Sequence, residues 1–353
     1  MRSKVKTVIA LSIIPQVLLV KLASFYPNFI ENYYSLGLYQ FMSKLMRYVF
    51  GWLPFSVGDL LYTLAIIYAI RWVVINRKRA IKDTLNWFQE IMVFVSLLYF
   101  AFHLFWGLNY YRLPLHESLG LEANYNTEEL MEVIENLTQK SNEIHSSLSL
   151  NDTIRLTIPI SKKELFKKSI NGYKNLSKTY PQLSPVPKSV KKSIYSLPLT
   201  YMGFGGYFNP FTNEAQINGL NLLHKFPTTT NHEQAHQIGY AAENEANFIG
   251  SLAAMHNDDP YFQYAGFIFA LKHCLIELQQ RNVPEYRSVI EAINIGILKT
   301  YQEEMEFWER YKNPVEPLFT GTWNQFLKAN NQDKGIESYS YVVALLVNHF
   351  KVK

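Results

Sequence analysis

In the first third of the chain, three runs of about twenty residues are almost unbroken by polar positions; after about residue 120, apolar positions recur three and four apart. The runs extend from Thr7 to about Tyr26, from about Phe55 to Ile75 and from about Phe88 to Leu108. Each is close to the ~20 residues that a helix needs to cross the hydrocarbon core of a bilayer. They carry Lys21, Asp59, Arg71, Glu90 and His103, mostly near their ends, where a long side chain can reach the headgroups. Arg2, Lys4 and Lys6 ahead of the first run also fit a cleaved signal peptide, but Lys21 sits near the expected cleavage region and no small-x-small site follows. The second and third runs could form a buried hairpin of a soluble protein, against which their length and aromatic flanks argue. The pattern therefore predicts a transmembrane region over residues 1–110 and a second domain over 111–353.

That second domain reads as mostly helical. Thr127, as N-cap before Glu128 and Glu129, predicts a helix to about Ser146, and Ser161 heads a second amphipathic helix. The stretch 181–199, with four prolines, predicts a loop with short extended pieces. Residues 199–218 (LTYMGFGGYFNPFTNEAQIN) predict a strand or hairpin. Helical periods then continue to the end, with breaks near Gly239, Pro260, Pro284 and Pro314; Asp258 and Asp259 read as the capping turn before Pro260. There is no internal repeat. The fold class is mainly α, with a small edge hairpin.

Composition sharpens this division. Residues 1–120 hold 12 Lys/Arg and 5 Asp/Glu, a net of +7; the rest hold 22 and 24, a net of −2, which gives the chain its +5. The basic character thus belongs to the membrane-like third, and no basic patch interleaved with stacking aromatics marks a nucleic-acid partner. Apolar residues at 48% exclude a disordered chain, and a single cysteine, Cys274, excludes a disulfide-stapled one. Basic loops stay inside. Arg2, Lys4, Lys6 and the Arg77–Lys82 loop therefore predict a cytoplasmic N-terminus, and three spans place everything after about Tyr110 outside the cytoplasmic membrane. Residues 27–53, apolar and aromatic with few charges, fit an interfacial helix on the outer face.

One motif carries chemistry. Residues 232–236 read His-Glu-Gln-Ala-His, after a Pro and a run of capping residues (FPTTTN). On a helix, His232 and His236 stand one turn apart on one face and can reach one metal together. Glu233 beside them can take a proton from a metal-bound water and hand it to a leaving group. A catalytic zinc wants three protein ligands and one open position. A break at Gly239 would let a following helix offer Glu243, with Asn247 on the same face holding a ligand histidine by its other ring nitrogen. Glu245 is the rival third ligand. Zinc is the expected cofactor, on two histidines and a carboxylate.

An HExxH followed by Glu-x-x-x-Asn resembles the gluzincin plan, in which a glutamate on a later helix completes the zinc site. The layout is also similar to an uncharacterised bacterial membrane-protein family that joins N-terminal spans to an extracytoplasmic HExxH domain. The matching pieces are residues 205–218 (GGYFNPFTNEAQIN), 232–248 (HEQAHQIGYAAENEANF) and 335–343 (GIESYSYVV). The short gap from His236 to Glu243, and Asn247 where Asp is commoner, depart from well-studied gluzincins. The resemblance implies a membrane-anchored zinc metallopeptidase of the bacterial cytoplasmic membrane, acting on a peptide or protein, with zinc-bound water attacking a peptide carbonyl and Glu233 as general base. A zinc hydrolase of a cell-envelope amide or ester, or an envelope protein with a purely structural zinc, shares the same residues. The run 203–208 is a candidate edge strand for an extended substrate. Tyr207, His256, Tyr339 and Tyr341 are conceivable oxyanion donors, though packing roles suit any one tyrosine better.

Overall fold

A computed structural model describes residues 3–183, 187–332, 334–335 and 341–351. Among these described residues the chain is mainly helical, with one three-stranded sheet. Three helices are long and apolar enough to cross a membrane: α1 (Lys4–Ala23), α3 (Val57–Asn76) and α4 (Thr84–Phe105), with α2 (Tyr39–Phe50) between the first two. Only 11% of the most apolar window in each is buried. Three such helices with apolar sides uncovered need an apolar solvent, so the chain is a membrane protein in kind. The spans start and end a few residues from the sequence expectation. The first ends at Ala23 because Pro27 opens a new helical turn, and the third ends at Phe105, after which residues 107–111 tighten into a 3-10 turn.

Two charged positions within the spans have specific partners, Glu90 and Asp59. Glu90 in α4 pairs with Lys6 of α1 at 2.7 Å and with Arg79 at 3.1 Å. Ser12 and Gln16 of α1 meet Ser96 of α4 at 3.0 Å each. The interruption of α1 at Ser12 follows from Pro15, which has no N–H for the carbonyl of Leu11. Asp59 is buried at the start of α3 and accepts from the backbone N–H of Ile194 at 2.7 Å, the Ser193 hydroxyl at 3.0 Å and the Tyr207 hydroxyl. The sequence reads Asp59 as a blemish in a span; the structure uses it as a tie between span and domain.

In the second domain, α5 (Thr127–Leu148) and α6 (Lys162–Leu176) precede the sheet, and α7 (Phe226–Gln237), α8 (Glu243–Met255), α9 (Pro260–Arg281), α10 (Ile295–Tyr311), α11 (Glu316–Ala329) and α12 (Val342–Phe350) follow it. Leu130, Ile134 and Leu137 of α5 pack with Ile249 and Leu252 of α8, Leu271 and Leu275 of α9 and Leu346 of α12 in the main core. The N-cap of α5 is Asn126 rather than Thr127: Asn126 Oδ1 accepts from Glu129 N while Glu129 Oε2 accepts from Asn126 N, both at 2.9 Å, a closed capping box. Ser161 caps α6 and Asp259 caps α9.

The strands are β1 (Val190–Lys192), β2 (Gly206–Asn209) and β3 (Glu214–Ile217), in the order β1-β3-β2. β2 and β3 form the expected hairpin, with Gly206 opposite Ile217, and β1 joins β3 in parallel. The start of the expected hairpin region is helical instead, over Ser196–Tyr201, where the Ser196 hydroxyl donates to the Ser193 carbonyl at 2.6 Å. FPTTTN belongs inside α7 rather than ahead of it. Pro227 occupies the first turn, where its missing N–H costs nothing, and Thr228 to Asn231 are helical.

Candidate metal site

The sequence around residue 238 folds as a turn because α7 cannot continue. Gly239 adopts φ +95°, open to glycine and strained for other residues, and a Cβ there would stand 3.0 Å from the Tyr39 ring. The chain reverses, and α8 begins at Glu243, so this carboxylate sits at the positive end of a helix dipole. α7 and α8 then pack side by side and bring the two halves of the sequence pattern together.

Glu243 Oε2 lies 3.1 Å from His232 Nε2 and 3.8 Å from His236 Nε2. Each imidazole is held from behind: His232 Nδ1 is 2.9 Å from Asn247 Oδ1, and His236 Nδ1 is 2.6 Å from the Tyr240 carbonyl. Both partners are acceptors, so each Nδ1 carries a proton and each Nε2 turns toward Glu243 Oε2. Two imidazole lone pairs and a carboxylate oxygen facing one another repel unless a cation or a proton lies between them. The donor set fits a divalent metal of the zinc type.

Glu233 is buried beside this point. The ligand-type atoms of His232, Glu233 and His236 all lie within 4.8 Å of one another, so proximity alone admits Glu233 as a third ligand. Glu243 Oε2, by contrast, faces both Nε2 atoms directly. Burial pushes the Glu233 carboxyl up, the two histidines pull it partly back, and Glu243 raises it again. Burial pulls His236 down, but the hydrogen bond and charge of Glu243 outweigh it and lift the imidazole to about 9. Glu243, against burial, is held well below the usual carboxylate range by the two histidines. Glu245 is placed elsewhere: its Oε1 accepts from Leu115 N at 2.6 Å, and burial pushes it up to about 7 in spite of that bond and of Arg112.

The carbonyls of residues 236–239 lie at the end of α7 and in the turn after it, where helical N–H partners run out. Side chains from the membrane-proximal segments meet them. The Tyr39 hydroxyl donates to His236 O at 3.2 Å and Gln237 O at 2.9 Å, Arg47 Nη1 donates to Gln237 O at 2.6 Å, and Gln40 Nε2 donates to Ile238 O at 3.2 Å. Trp106 Nε1 donates to His236 O at 3.1 Å. Arg112 donates to Gly239 O at 2.8 Å while paired with Glu31 at 2.6 Å and lying over the Tyr240 ring. Glu214 on β3 reaches the opposite way and accepts from Gly58 N at 2.6 Å, at the start of α3. None of these partners announces itself in the sequence, since each lies roughly 130 to 200 positions from α7 or α3.

The edge strand β2 runs along the site. A Cβ added to Gly206 would stand 2.9 Å from Glu233 Oε1 and 2.7 Å from Gln216 O, so only glycine lets strand and carboxylate come this close. Phe208 on the same strand faces the His236 ring, at 6.4 Å between centroids. Of the conceivable oxyanion donors, Tyr207 is committed to Asp59, His256 Nδ1 is 2.9 Å from Leu252 O, Tyr341 lies exposed at the start of α12, and Tyr339 lies outside the described residues. Tyr110 stacks edge-on against Trp106 at 5.0 Å; burial first and the charge of Glu243 second hold its phenol well above its ordinary value.

The family described as "Protein of unknown function (DUF3810)" matches residues 34–347. No curated protein and no solved structure matches the chain.

Proposed function

The chain belongs to the DUF3810 family, and we propose that it is a membrane-anchored zinc metallopeptidase on a gluzincin-like plan. The observation that carries this reading is the convergence of His232 Nε2, His236 Nε2 and Glu243 Oε2, with both Nδ1 atoms tied to acceptors. Zinc, when bound, supplies Lewis acidity to a water and to the scissile carbonyl. Glu233 accepts the proton of the attacking water and returns it to the leaving amine, a task that its raised pKa suits. β2 offers an extended substrate main-chain pairing next to Glu233. Glu245, the fourth ligand that a closed structural zinc site could draw on, is turned away to Leu115. The basic N-terminus and Arg77–Lys82 loop favour the cytoplasmic side for those ends, with the site on the outer face of a bacterial cytoplasmic membrane.

The test uses the full chain in detergent micelles, as wild type and as Glu233→Gln, with metal content and cleavage of a mixed peptide library read together. One zinc per chain in both proteins, with cleavage lost by at least ~100-fold in the variant, is the expected outcome. Metal without cleavage in either protein would shift the reading to an envelope amide or ester. A folded chain that binds no zinc would end it.

A further inference from the structure

The site is bolted to the ends of the spans. α4 ends at Phe105, and the next residue, Trp106, donates to the carbonyl of His236. The Tyr34 hydroxyl meets the last carbonyls of α4, those of His103 and Leu104, at 3.1 and 3.0 Å. The start of α3 is held by Glu214 of the hairpin. Val20 and Ala23, near the end of α1, pack on the same aromatic cluster of Tyr34, Tyr39, Trp106 and Tyr110 that underlies α7. All three spans therefore come up against the site from one side, and His236 lies one indole away from the end of a span.

α2 shows what covers that side. Its inner face buries Tyr39, Ser43 and Arg47, the residues that close the end of α7. Its outer face, continued past the helix end, leaves Phe41, Leu45, Tyr48, Val49 and Trp52 exposed, recurring three and four apart. Water does not suit such a face. The chain enters the membrane both before and after this segment, through α1 and α3, so the apolar face has a bilayer beside it. Tyr and Trp on one face of an amphipathic helix suit the headgroup boundary.

We propose that α2 lies in the bilayer interface and seats the site at the membrane surface, so that its substrate is a polypeptide tethered to the same membrane and cut just outside its anchor. The headgroup layer is only about 5–8 Å deep, and a site joined to a span end by one side chain cannot stand far above it. The substrate class rests on the peptidase reading. In the reaction the peptide C–N bond breaks, water gives hydroxyl to the carbonyl carbon and a proton to the amine, and Glu233 ends as it began.

Two measurements on the full, zinc-loaded chain in phosphatidylethanolamine–phosphatidylglycerol vesicles test this. Cys274 is buried, so a spin label reports on an introduced cysteine. Labels at Tyr48→Cys and Trp52→Cys should be reached by oxygen and shielded from a water-soluble nickel chelate, and a label at the exposed Asn151→Cys should behave oppositely; labels at 48 and 52 that read as water overturn the proposal. In parallel, a synthetic Leu-rich span carrying about 40 randomised residues outside the membrane is offered beside the same residues free in solution. Cuts should be at least tenfold denser in the first ten or so residues than in the distal half. Cuts spread evenly, or confined to the free library, overturn the membrane-surface substrate alone. A zinc-loaded chain inert on both libraries overturns the peptidase reading beneath it.

Discussion

His232 is oriented by Asn247 and His236 by the Tyr240 carbonyl, and the two supports differ in what a mutation can reach. A backbone carbonyl cannot be deleted, whereas the Asn247 amide can. Asn247→Ala should leave the fold intact and weaken zinc about 10- to 100-fold, as removal of such an orienting partner does elsewhere; competition against a chromophoric chelator reads it, and unchanged affinity would mean that α7 alone fixes the ring. The same cluster sets a pH dependence. Without metal, Glu243 holds a proton on His236 up to about 9, and zinc must displace that proton. Protonation opposes binding below that value, so apparent affinity should rise about tenfold per pH unit from pH 6 upward and level off near 9. Titration at four pH values checks this. Glu243→Gln removes the carboxylate's field, and the levelling should then move down toward the ordinary imidazole value of about 6.5.

At the scale of elements, α7 is short and ends one residue after His236, so its stability depends on what closes its last turn. Arg47 contributes most to that closure by chemistry: it is buried, donates to Gln237 O and Asn213 Oδ1, and brings positive charge to the negative end of the helix dipole. Burial lowers its own pKa to about 10, which still leaves it charged at neutral pH. Arg47→Met keeps the volume and loses the donors. It should cost about 1.5–3 kcal/mol, the range for a hydrogen bond to a charged group, and should loosen zinc at the same time; thermal unfolding with and without chelator separates the two effects. Here the limits of the sequence become visible. His232, Glu233, His236, Glu243 and Asn247 are legible because helical spacing places them on predictable faces of two adjacent helices joined by a glycine turn. Tyr39, Arg47, Trp106 and Arg112 are not, because a side chain that closes a distant helix end obeys no local period. The capping box at Asn126 was legible in principle, as Asn followed three residues later by Glu, and Thr127 masked it by being a good cap itself. The span ends shifted by a few residues for the usual reason that hydropathy marks an apolar run and not the turn that stops it.

For the molecule as a whole, several side-chain bonds cross residue 110, where the hydropathy pattern changes. Residues 31, 39, 40, 47, 106 and 112 all act on the turn that follows the two histidines, directly or through Arg112. Residues 111–353 produced alone should keep the core of α5, α8, α9 and α12 but melt at lower temperature than the full chain and hold zinc poorly, even though all the ligand-type side chains are present. Metal content and circular dichroism of that piece, against the full chain, test it; full zinc occupancy in the shorter protein would show that the membrane segments are a tether and nothing more. The direct bond from Trp106 to His236 has one more consequence, for control of the protein in a living cell. An enzyme joined to its anchor by a flexible stalk can be clipped off and remain active in the surrounding fluid. On the proposed reading, a cut that released the part carrying the histidines would also strip the bonds that close the turn after them, so shedding would act as an off switch.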